Sequence, residues 1–448
     1  MAQKYKYLHL VNYNTFLLWD IKRYFMTQVA SSHPIVKLGD YIQEEGTKYN
    51  ISDKTKTYGI LGVNNQTGIF DAYEENGSKI KQKYKKMQVG WIAYNPYRVN
   101  VGSIGIRTEE HLFEYISPAY VVFSCKTGLL PEFLFLLMKT DLFNKIIREN
   151  TTGSVRQNLN YSVLSNLQIP LPSLEEQKNI VSTYNAKIEQ ANIYSLCTYR
   201  INKKIEDYLH DILETNIEFD ISGSFLNYVN YKDISRWDAL FLLSNNNIKS
   251  KYPLATLGQC ISHFLTDQNG KSLRRETYKT PEKEYTYIGM ENVKKETGEI
   301  IDNVIVKGKD IKSQTIYVPS NYFLYGKLRP YLNKYWYNNI ETQQEEIICS
   351  SEFFVFDIKN NINSKYFLYV LASYIVQKQI IDAMSGARMP RISEETFRGI
   401  QIPLPPLNIQ NEIVEHIDVL RKEQKDLQQK NLTLRQQATQ QFEQIIFN

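Results

Sequence analysis

Two stretches of the chain, roughly 174–215 and 407–448, contain neither proline nor glycine and carry apolar residues at alternating spacings of four and three. In the second stretch the series runs through Ile413, Ile417, Leu420, Leu427, Leu434 and Ile445, with Gln424, Asn431, Ala438 and Gln441 filling the remaining steps. Shifted back by 233 residues, the same register picks out Ile180, Tyr184, Ile201, Ile205 and Ile212, interspersed with Lys187, Ala191, Tyr194, Thr198 and Tyr208. An apolar period of 3.5 residues over about five heptads predicts a helix whose stripe must be covered by a long partner helix. Each helix of ~40 residues would be ~60 Å long at a rise of 1.5 Å per residue. Matched length and shared register predict that the two helices cover each other as an antiparallel coiled coil. The alternative is two separate coiled coils, each pairing with another chain.

The remaining sequence changes period. Short β-rich runs such as AYVVFS at 119–124 and SEFFVFD at 351–357 are followed by the amphipathic stretches PEFLFLLMKTDLFNKIIREN at 131–150 and KYFLYVLASYIVQKQIIDAM at 365–384. That mixture predicts α/β globular domains. The two halves also repeat one another. VNYNTFLLWD at 11–20 returns as VNYKDISRWD at 229–238, and PIVKLGDYI at 34–42 as PLATLGQCI at 253–261. AYVVF at 119–123 answers EFFVF at 352–356, and LQIPLPSLEEQKNIV at 167–181 answers IQIPLPPLNIQNEIV at 400–414. The offset grows from 218 to 233 residues, so the second copy is longer by about fifteen in its middle. The expected fold class is therefore mixed α/β: two globular domains, 1–171 and 216–404, separated by two long helices, 172–215 and 405–448, in a pseudo-twofold tandem repeat. The prolines of IPLP end each globular domain and hold the chain extended.

Composition changes this picture only where charge is located along the chain. The 448 residues include 53 basic and 48 acidic side chains, a net charge of +5 that is ambiguous by itself. By segment it is +6 for 1–171 and +2 for 216–404, against −2 and −1 for the two helical stretches. Positive charge sits in the globular domains. One cluster is KIKQKYKK, with Lys79, Lys81, Lys83, Lys85 and Lys86. In the second copy Lys271, Arg274 and Arg275 form another, and Lys327, Arg329 and Lys334 a third. Arg98 falls opposite Arg329 when Tyr94 is aligned with Tyr325. Lysines neutralise phosphates, and arginine reads guanine through paired hydrogen bonds, so these twelve residues are the candidate contacts to double-stranded DNA.

No catalytic apparatus emerges. NGKS at 269–272 lacks the first glycine of a phosphate-binding loop, since Leu265 stands there. YNPYR at 94–98 lacks the second proline of an adenine-amino methyltransferase motif, and EEQK at 175–178 sits at a helix start where acids favour the macrodipole. Cys125, Cys197, Cys260 and Cys349 form no CxxC pair, and the six histidines show no metal-ligand spacing, so neither a disulfide framework nor a metal site is expected. The start lacks the apolar core of a secretory signal, and no apolar run approaches the ~20 residues that span a bilayer. A cytoplasmic, non-catalytic protein without membrane contact is the expectation.

Two α/β domains, each closed by an IPLP-x-L-x-x-Q segment and a long heptad helix, resemble a known family. The residues that carry the match are Ile169, Pro170, Leu171, Pro172, Leu174 and Gln177 in one copy, and Ile402, Pro403, Leu404, Pro405, Leu407 and Gln410 in the other. Gly153 and Gly386, each sixteen residues before its isoleucine, fit as well. The whole is similar to the specificity subunit of type I restriction–modification systems. The resemblance implies target-recognition domains that each read half of a bipartite DNA site, and helices that set the gap between half-sites. It further implies docking of two methyltransferase subunits and of restriction–translocase subunits. S-adenosylmethionine, ATP and magnesium would then belong to those partners and no cofactor to this chain. Two other readings stay open: the recognition subunit of a related system with a fused nuclease–methyltransferase partner, and a coiled-coil adaptor that does not bind DNA.

Overall fold

A computed structural model describes residues 29–99, 102–150, 158–219, 246–265, 281–302, 304–311, 314–340, 346–384 and 389–447. The repeat match at 11–20 and 229–238, Gly153, Gly386, Lys271, Arg274 and Arg275 lie outside the described residues. The chain forms two units. One is built from the described residues up to Ser195 together with those from Gln428 on, the other from Leu196–Leu427.

The first unit contains β1 (Ile35–Lys37), β2 (Ile42–Glu44), β3 (Lys48–Tyr49), β4 (Thr57–Asn64), β5 (Gly68–Asn76), β6 (Tyr84–Lys86), β7 (Ile92–Tyr94), β8 (Ile104–Ile106), β9 (Tyr115–Ile116), β10 (Val121–Cys125) and β11 (Gln168–Pro170). Its helices are α1 (Pro131–Met138), α2 (Asp141–Asn150), α3 (Tyr161–Ser165) and the first part of α4 (Leu174–Leu213). The strands make a ribbon β1-β11, a four-stranded sheet in the order β2-β10-β7-β8, and a five-stranded sheet in the order β3-β6-β9-β4-β5. The two larger sheets meet at Gly105 of β8, where a Cβ would stand 2.2 Å from the Ile69 backbone nitrogen on β5. Only glycine permits that approach.

The second unit contains β12 (Asn216–Phe219), β13 (Asn246–Lys249), β14 (Leu254–Thr256), β15 (Ile261–Phe264), β16 (Glu284–Ile288), β17 (Val304–Lys307), β18 (Thr315–Tyr317), β19 (Phe323–Gly326), β20 (Tyr335–Tyr337), β21 (Glu346–Ser350), β22 (Phe353–Ile358) and β23 (Gln401–Pro403). Its helices are the remainder of α4, then α5 (Leu257–Cys260), α6 (Ser364–Ala372), α7 (Tyr374–Ala383), α8 (Glu394–Gly399) and the first part of α9 (Leu407–Phe447). The ribbon β14-β23 matches β1-β11, with Leu254 opposite Pro403 as Ile35 stands opposite Pro170. The sheet β15-β22-β19-β20 matches β2-β10-β7-β8. There Tyr325 pairs with Phe354 just as Tyr94 pairs with Val121, the register that the alignment of Tyr94 with Tyr325 requires. The duplication also reaches the sheet that contains β4 in one unit and β16 in the other. The order β18-β21-β16-β17 repeats β6-β9-β4-β5, including the parallel pair β16–β21 that answers β4–β9.

Each unit buries one main core between its first sheet and its helices. In the first, Phe133, Leu137, Phe143 and Ile147 pack on Tyr94 and Phe123 together with Ile180, Phe442 and Ile446 of the long helices. In the second, Phe323, Phe356, Phe367 and Phe397 form an aromatic cluster, with Phe323 stacked on Phe356 at 5.7 Å, and Ile205, Leu209, Ile413 and Ile417 close it. Aromatic rings in offset and edge contacts add about 0.5–1.5 kcal/mol per pair beyond the area they bury.

Within each unit α4 and α9 run antiparallel. In the first, Tyr184 meets Phe442 edge-on at 6.3 Å, Lys187 donates to Gln441 Oε1 at 2.7 Å, and Asn431 donates to Ser195 Oγ at 2.6 Å. In the second, Tyr208 stacks on His416 at 4.0 Å, and Gln424 Nε2 donates to Asn202 Oδ1 at 2.7 Å and to the Thr198 carbonyl at 3.4 Å. The expected coiled-coil pairing is present, and Lys187, Gln424 and Asn431 on the seam each bond across it, as register-fixing polar positions do. Ile180, Ile201, Ile205, Ile413 and Ile417 are buried, while Tyr184, Ile212, Leu420, Leu427 and Leu434 are half-buried.

The heptad register nevertheless fails at the C-terminal end of each helix. Ile445 is 38% exposed, and Ile446 and Phe442 are buried in its place. The seam there advances by four residues, through Ala438, Phe442 and Ile446, and identically through Ile205, Leu209 and Leu213 in α4. A straight α-helix has 3.6 residues per turn, so a 4-4 spacing points the stripe into the globular core instead of along a partner helix.

The IPLP-x-L-x-x-Q segment has a structural task in both copies. Leu171 N donates to the Pro34 carbonyl and Leu404 N to the Pro253 carbonyl, both at 2.9 Å. The buried Gln177 accepts from Leu130 N at 2.8 Å and donates to the Gly128 and Pro172 carbonyls at 2.9 Å. Gln410 accepts from Asn363 N and donates to the Pro405 carbonyl, both at 2.8 Å. The glutamine thus ties the start of each long helix to the turn that opens α1 or α6. In the first copy Ser173 and Glu176 add a reciprocal capping box, which draws the Glu176 carboxyl below its usual range through hydrogen bonds from Ser173.

Candidate nucleic-acid interface

The lysine-rich segment of the first unit spans the connection from β5 to β6 and then β6 itself. Lys81 and Lys83 are exposed. Lys79 is exposed and sits 3.5 Å from Glu75, and Lys86 is paired with Glu114 at 3.1 Å. Lys85 departs from the expectation. It is only 6% exposed, and its ammonium donates to the Tyr120 carbonyl at 2.9 Å. Burial holds its pKa below the ordinary lysine value. The pairing of β6 with β3 and β9 turns this one lysine inward, so it braces the sheet and presents no charge to a phosphate.

Two lysines of the second unit are likewise committed to backbone. Lys327 Nζ donates to the Ser351 carbonyl at 2.8 Å and lies 5.1 Å from the centre of the Phe354 ring. Lys334 donates to the Met290 carbonyl, and burial lowers its pKa. Both ammoniums hold the β19–β20 loop in place, so part of their hydrogen-bonding capacity is structural.

Arg98 and Arg329 are a different case. The connections β7 to β8 and β19 to β20 are equivalent: nine residues separate Tyr94 from its partner Ile104, and nine separate Tyr325 from its partner Tyr335. Each arginine stands four residues after a fully buried tyrosine, Tyr94 or Tyr325, and both arginines are exposed. The loops are anchored at the same place. Leu159 N donates to the Pro96 carbonyl at 3.0 Å, and Ile392 N to the Lys327 carbonyl at 3.2 Å. In the second unit the anchor continues with Arg329 N donating to the Pro390 carbonyl at 2.7 Å and Asn333 Nδ2 to the Ala372 carbonyl at 2.8 Å. Gln377 Nε2 donates to Asn333 Oδ1 at 2.9 Å and to the Tyr325 hydroxyl at 3.0 Å. Exposed side chains flank each arginine: Tyr97 in one loop, and Tyr331 with the nearby Met389 in the other. Charge counting overlooked these neighbours and the bracing residues Asn333 and Gln377. The 233-residue offset that pairs Leu159 with Ile392 was the signal that could have found the anchor.

The structure therefore sorts the twelve candidates. Arg98 and Arg329 come together with matched surroundings in their own units, while Lys79, Lys81, Lys83 and Lys86 lie on or beside a different sheet of the first unit. Among the described residues no group of three or more His, Cys, Asp or Glu could hold a metal ion. A cavity of about 360 Å³ in the second unit is lined by Glu206, Asp207, His210, Thr215, Ser373 and Tyr374, and its lining offers no lysine or arginine to an anion. No helix among the described residues is long and apolar enough to cross a membrane.

Comparison with known proteins decides what this duplicated framework is. The family model for the type I restriction modification DNA specificity domain matches residues 35–193 and again 260–434, once on each repeat. The chain belongs to this DNA specificity family. A curated relative, the type I restriction enzyme EcoDI specificity subunit of Escherichia coli, is 21% identical over 327 residues, covering 71% of this chain and 68% of the relative. Among solved structures, a chain from a type I R-M system studied for complex assembly and conformational transition superposes with a TM-score of 0.52 at 14% identity, covering 94% of this chain and 97% of that one. The S subunit of a type I restriction-modification system from M. genitalium gives 0.43 at 15% identity, covering 93% and 97%. The specificity subunit is thus a DNA-recognition component of a restriction–modification complex, and neither the adaptor nor the fused-partner alternative is favoured.

Proposed function

We propose that this specificity subunit reads a bipartite double-stranded DNA target, one half-site per unit, and supplies no catalytic residue of its own. The observation that carries the reading is the double family match falling on two units that share a ribbon, a four-stranded sheet and the order β6-β9-β4-β5 repeated as β18-β21-β16-β17. A protein made of two similar reading units recognises two half-sites by the same logic as any symmetric or pseudo-symmetric DNA binder, with spacing set by the element that joins them. The continuous helices α4 and α9 are that element. On this reading two methyltransferase subunits and the restriction–translocase subunits assemble with it in the cytoplasm. S-adenosylmethionine, ATP and magnesium are held by those partners.

A mobility-shift titration of the subunit together with its methyltransferase partner, at two salt concentrations, tests DNA binding. Phosphate contact predicts an affinity that falls steeply with salt, with a log–log slope of about −0.9 per phosphate neutralised. Binding absent at low salt, or unchanged by salt, would overturn it.

A further inference from the structure

We infer that Arg98 and Arg329 are the paired base-reading residues of the two units, each contacting a guanine in its own half-site. The inference rests on the function proposed above and deepens it.

Three observations carry it. The first is the accounting of arginines. Outside the long helices, Arg107 donates to the Phe113, Met87 and His111 carbonyls, Arg391 to Glu352, Arg398 to Glu394, and Arg148 to the Asn144 carbonyl. Arg98 and Arg329 alone among the described arginines of the globular parts bond no described residue through their side chains. Two guanidinium groups with no partner among the described residues, at the same step of two equivalent loops, are a pattern that structural ion pairing does not produce.

The second observation is rigidity. A base-reading side chain needs a backbone that does not yield, and the anchors at Pro96–Leu159 and Lys327–Ile392 provide it at identical positions. The third is strain. Arg329 adopts a left-handed backbone (φ 49°, ψ 57°) immediately before Pro330. That conformation costs a side-chain-bearing residue about 1–2 kcal/mol and persists only where surrounding bonds impose it. Glycine would occupy the position without that cost, yet an exposed arginine stands there. The retained side chain, held out at a conformational penalty, is best explained by a ligand. Guanine is the base whose O6 and N7 accept the two parallel bonds of a guanidinium.

The test uses the full complex with its modification subunits and reads methylated sites across a genome. Arg329→Gly removes the side chain and keeps the left-handed backbone, and Arg98→Ala removes the side chain of the other loop, whose backbone is not left-handed. Each is expected to relax the requirement for one G·C pair in one half-site by about 5- to 150-fold, leaving the other half-site and the gap unchanged. Arg98→Lys and Arg329→Lys retain the charge, lose the fork, and are expected to relax the same positions. They decide the matter if the shorter variants do not assemble. A uniform loss of methylation over all sites with an unaltered motif would mean phosphate contact and overturn the inference, as would an unaltered motif at unaltered levels. A wild-type complex with no bipartite motif would instead overturn the proposed function on which the inference stands.

Discussion

Replacing Gln177 or Gln410 by leucine asks whether the twice-repeated IPLP-x-L-x-x-Q segment works as a structural clasp. Leucine nearly fills the glutamine volume, so the cavity term is small and the loss is polar. Gln177→Leu leaves three groups without their partner: the Leu130 N–H and the Gly128 and Pro172 carbonyls. Gln410→Leu leaves two, the Asn363 N–H and the Pro405 carbonyl. At about 1 kcal/mol or more for each orphaned buried group, the local cost is about 3 kcal/mol for the first and about 2 kcal/mol for the second. Hydrogen exchange of the Leu130 and Asn363 amides reads this directly, because each is held by its glutamine. Exchange at Leu130 should quicken by roughly 150-fold in Gln177→Leu, and at Asn363 by roughly 30-fold in Gln410→Leu, each with the other unit unaffected. Unchanged exchange at Leu130 in Gln177→Leu would refute the clasp, as would acceleration that appears equally in both units.

Three further outcomes follow from the structure. Ile446→Ala should cost about 2–5 kcal/mol because Ile446 is fully buried, whereas Ile445→Ala should cost under about 0.5 kcal/mol, and equal losses in denaturant unfolding would restore the strict heptad register. Gly105→Ala places a Cβ against the Ile69 backbone and should destabilise the first unit by about 1–3 kcal/mol in denaturant unfolding while sparing the second, and a neutral result would remove the close approach of the two sheets. Burial pushes the Cys125 thiol up to about 12 and the Cys260 thiol up to about 11. Both therefore stay protonated at pH 8, and alkylation there should be at least about 100-fold slower in the folded chain than in urea, with equal rates contradicting their burial.

Much of this architecture was legible because it depends on period and repetition. The 4-3 spacing from Ile413 to Leu427 reports a helix–helix seam, and the repeat fixed the equivalence of Tyr94 with Tyr325 that the sheet registers bear out. What escaped depends on tertiary surroundings. Nothing local distinguishes Ile445 from Ile446; the choice is made by the core that α9 enters beyond Ala438. The equivalence of β4 with β16 leaves only a faint trace in sequence, Lys56 and Tyr58 against Lys283 and Tyr285 with Gly77 and Ile80 against Gly308 and Ile311, and it takes the matching bonds of Gly77 N to the Lys56 carbonyl and Gly308 N to the Lys283 carbonyl to make it legible. Within KIKQKYKK all five lysines look alike in sequence, and only the pairing of Lys85 with Lys48 and Ile116 shows that one of them faces inward. Charge counts likewise could not separate Lys327 and Lys334, which hold backbone carbonyls, from Arg329, whose side chain holds none among the described residues.

The most direct test of the central claim is a genome-wide map of adenine and cytosine methylation in cells with and without this chain, in the presence of the modification subunits of its own system. The account predicts methylation confined to one bipartite motif, two specified half-sites around an unspecified gap, which disappears when the chain is removed. Methylation that persists without the chain, or a motif that is contiguous and read by one unit alone, would contradict it.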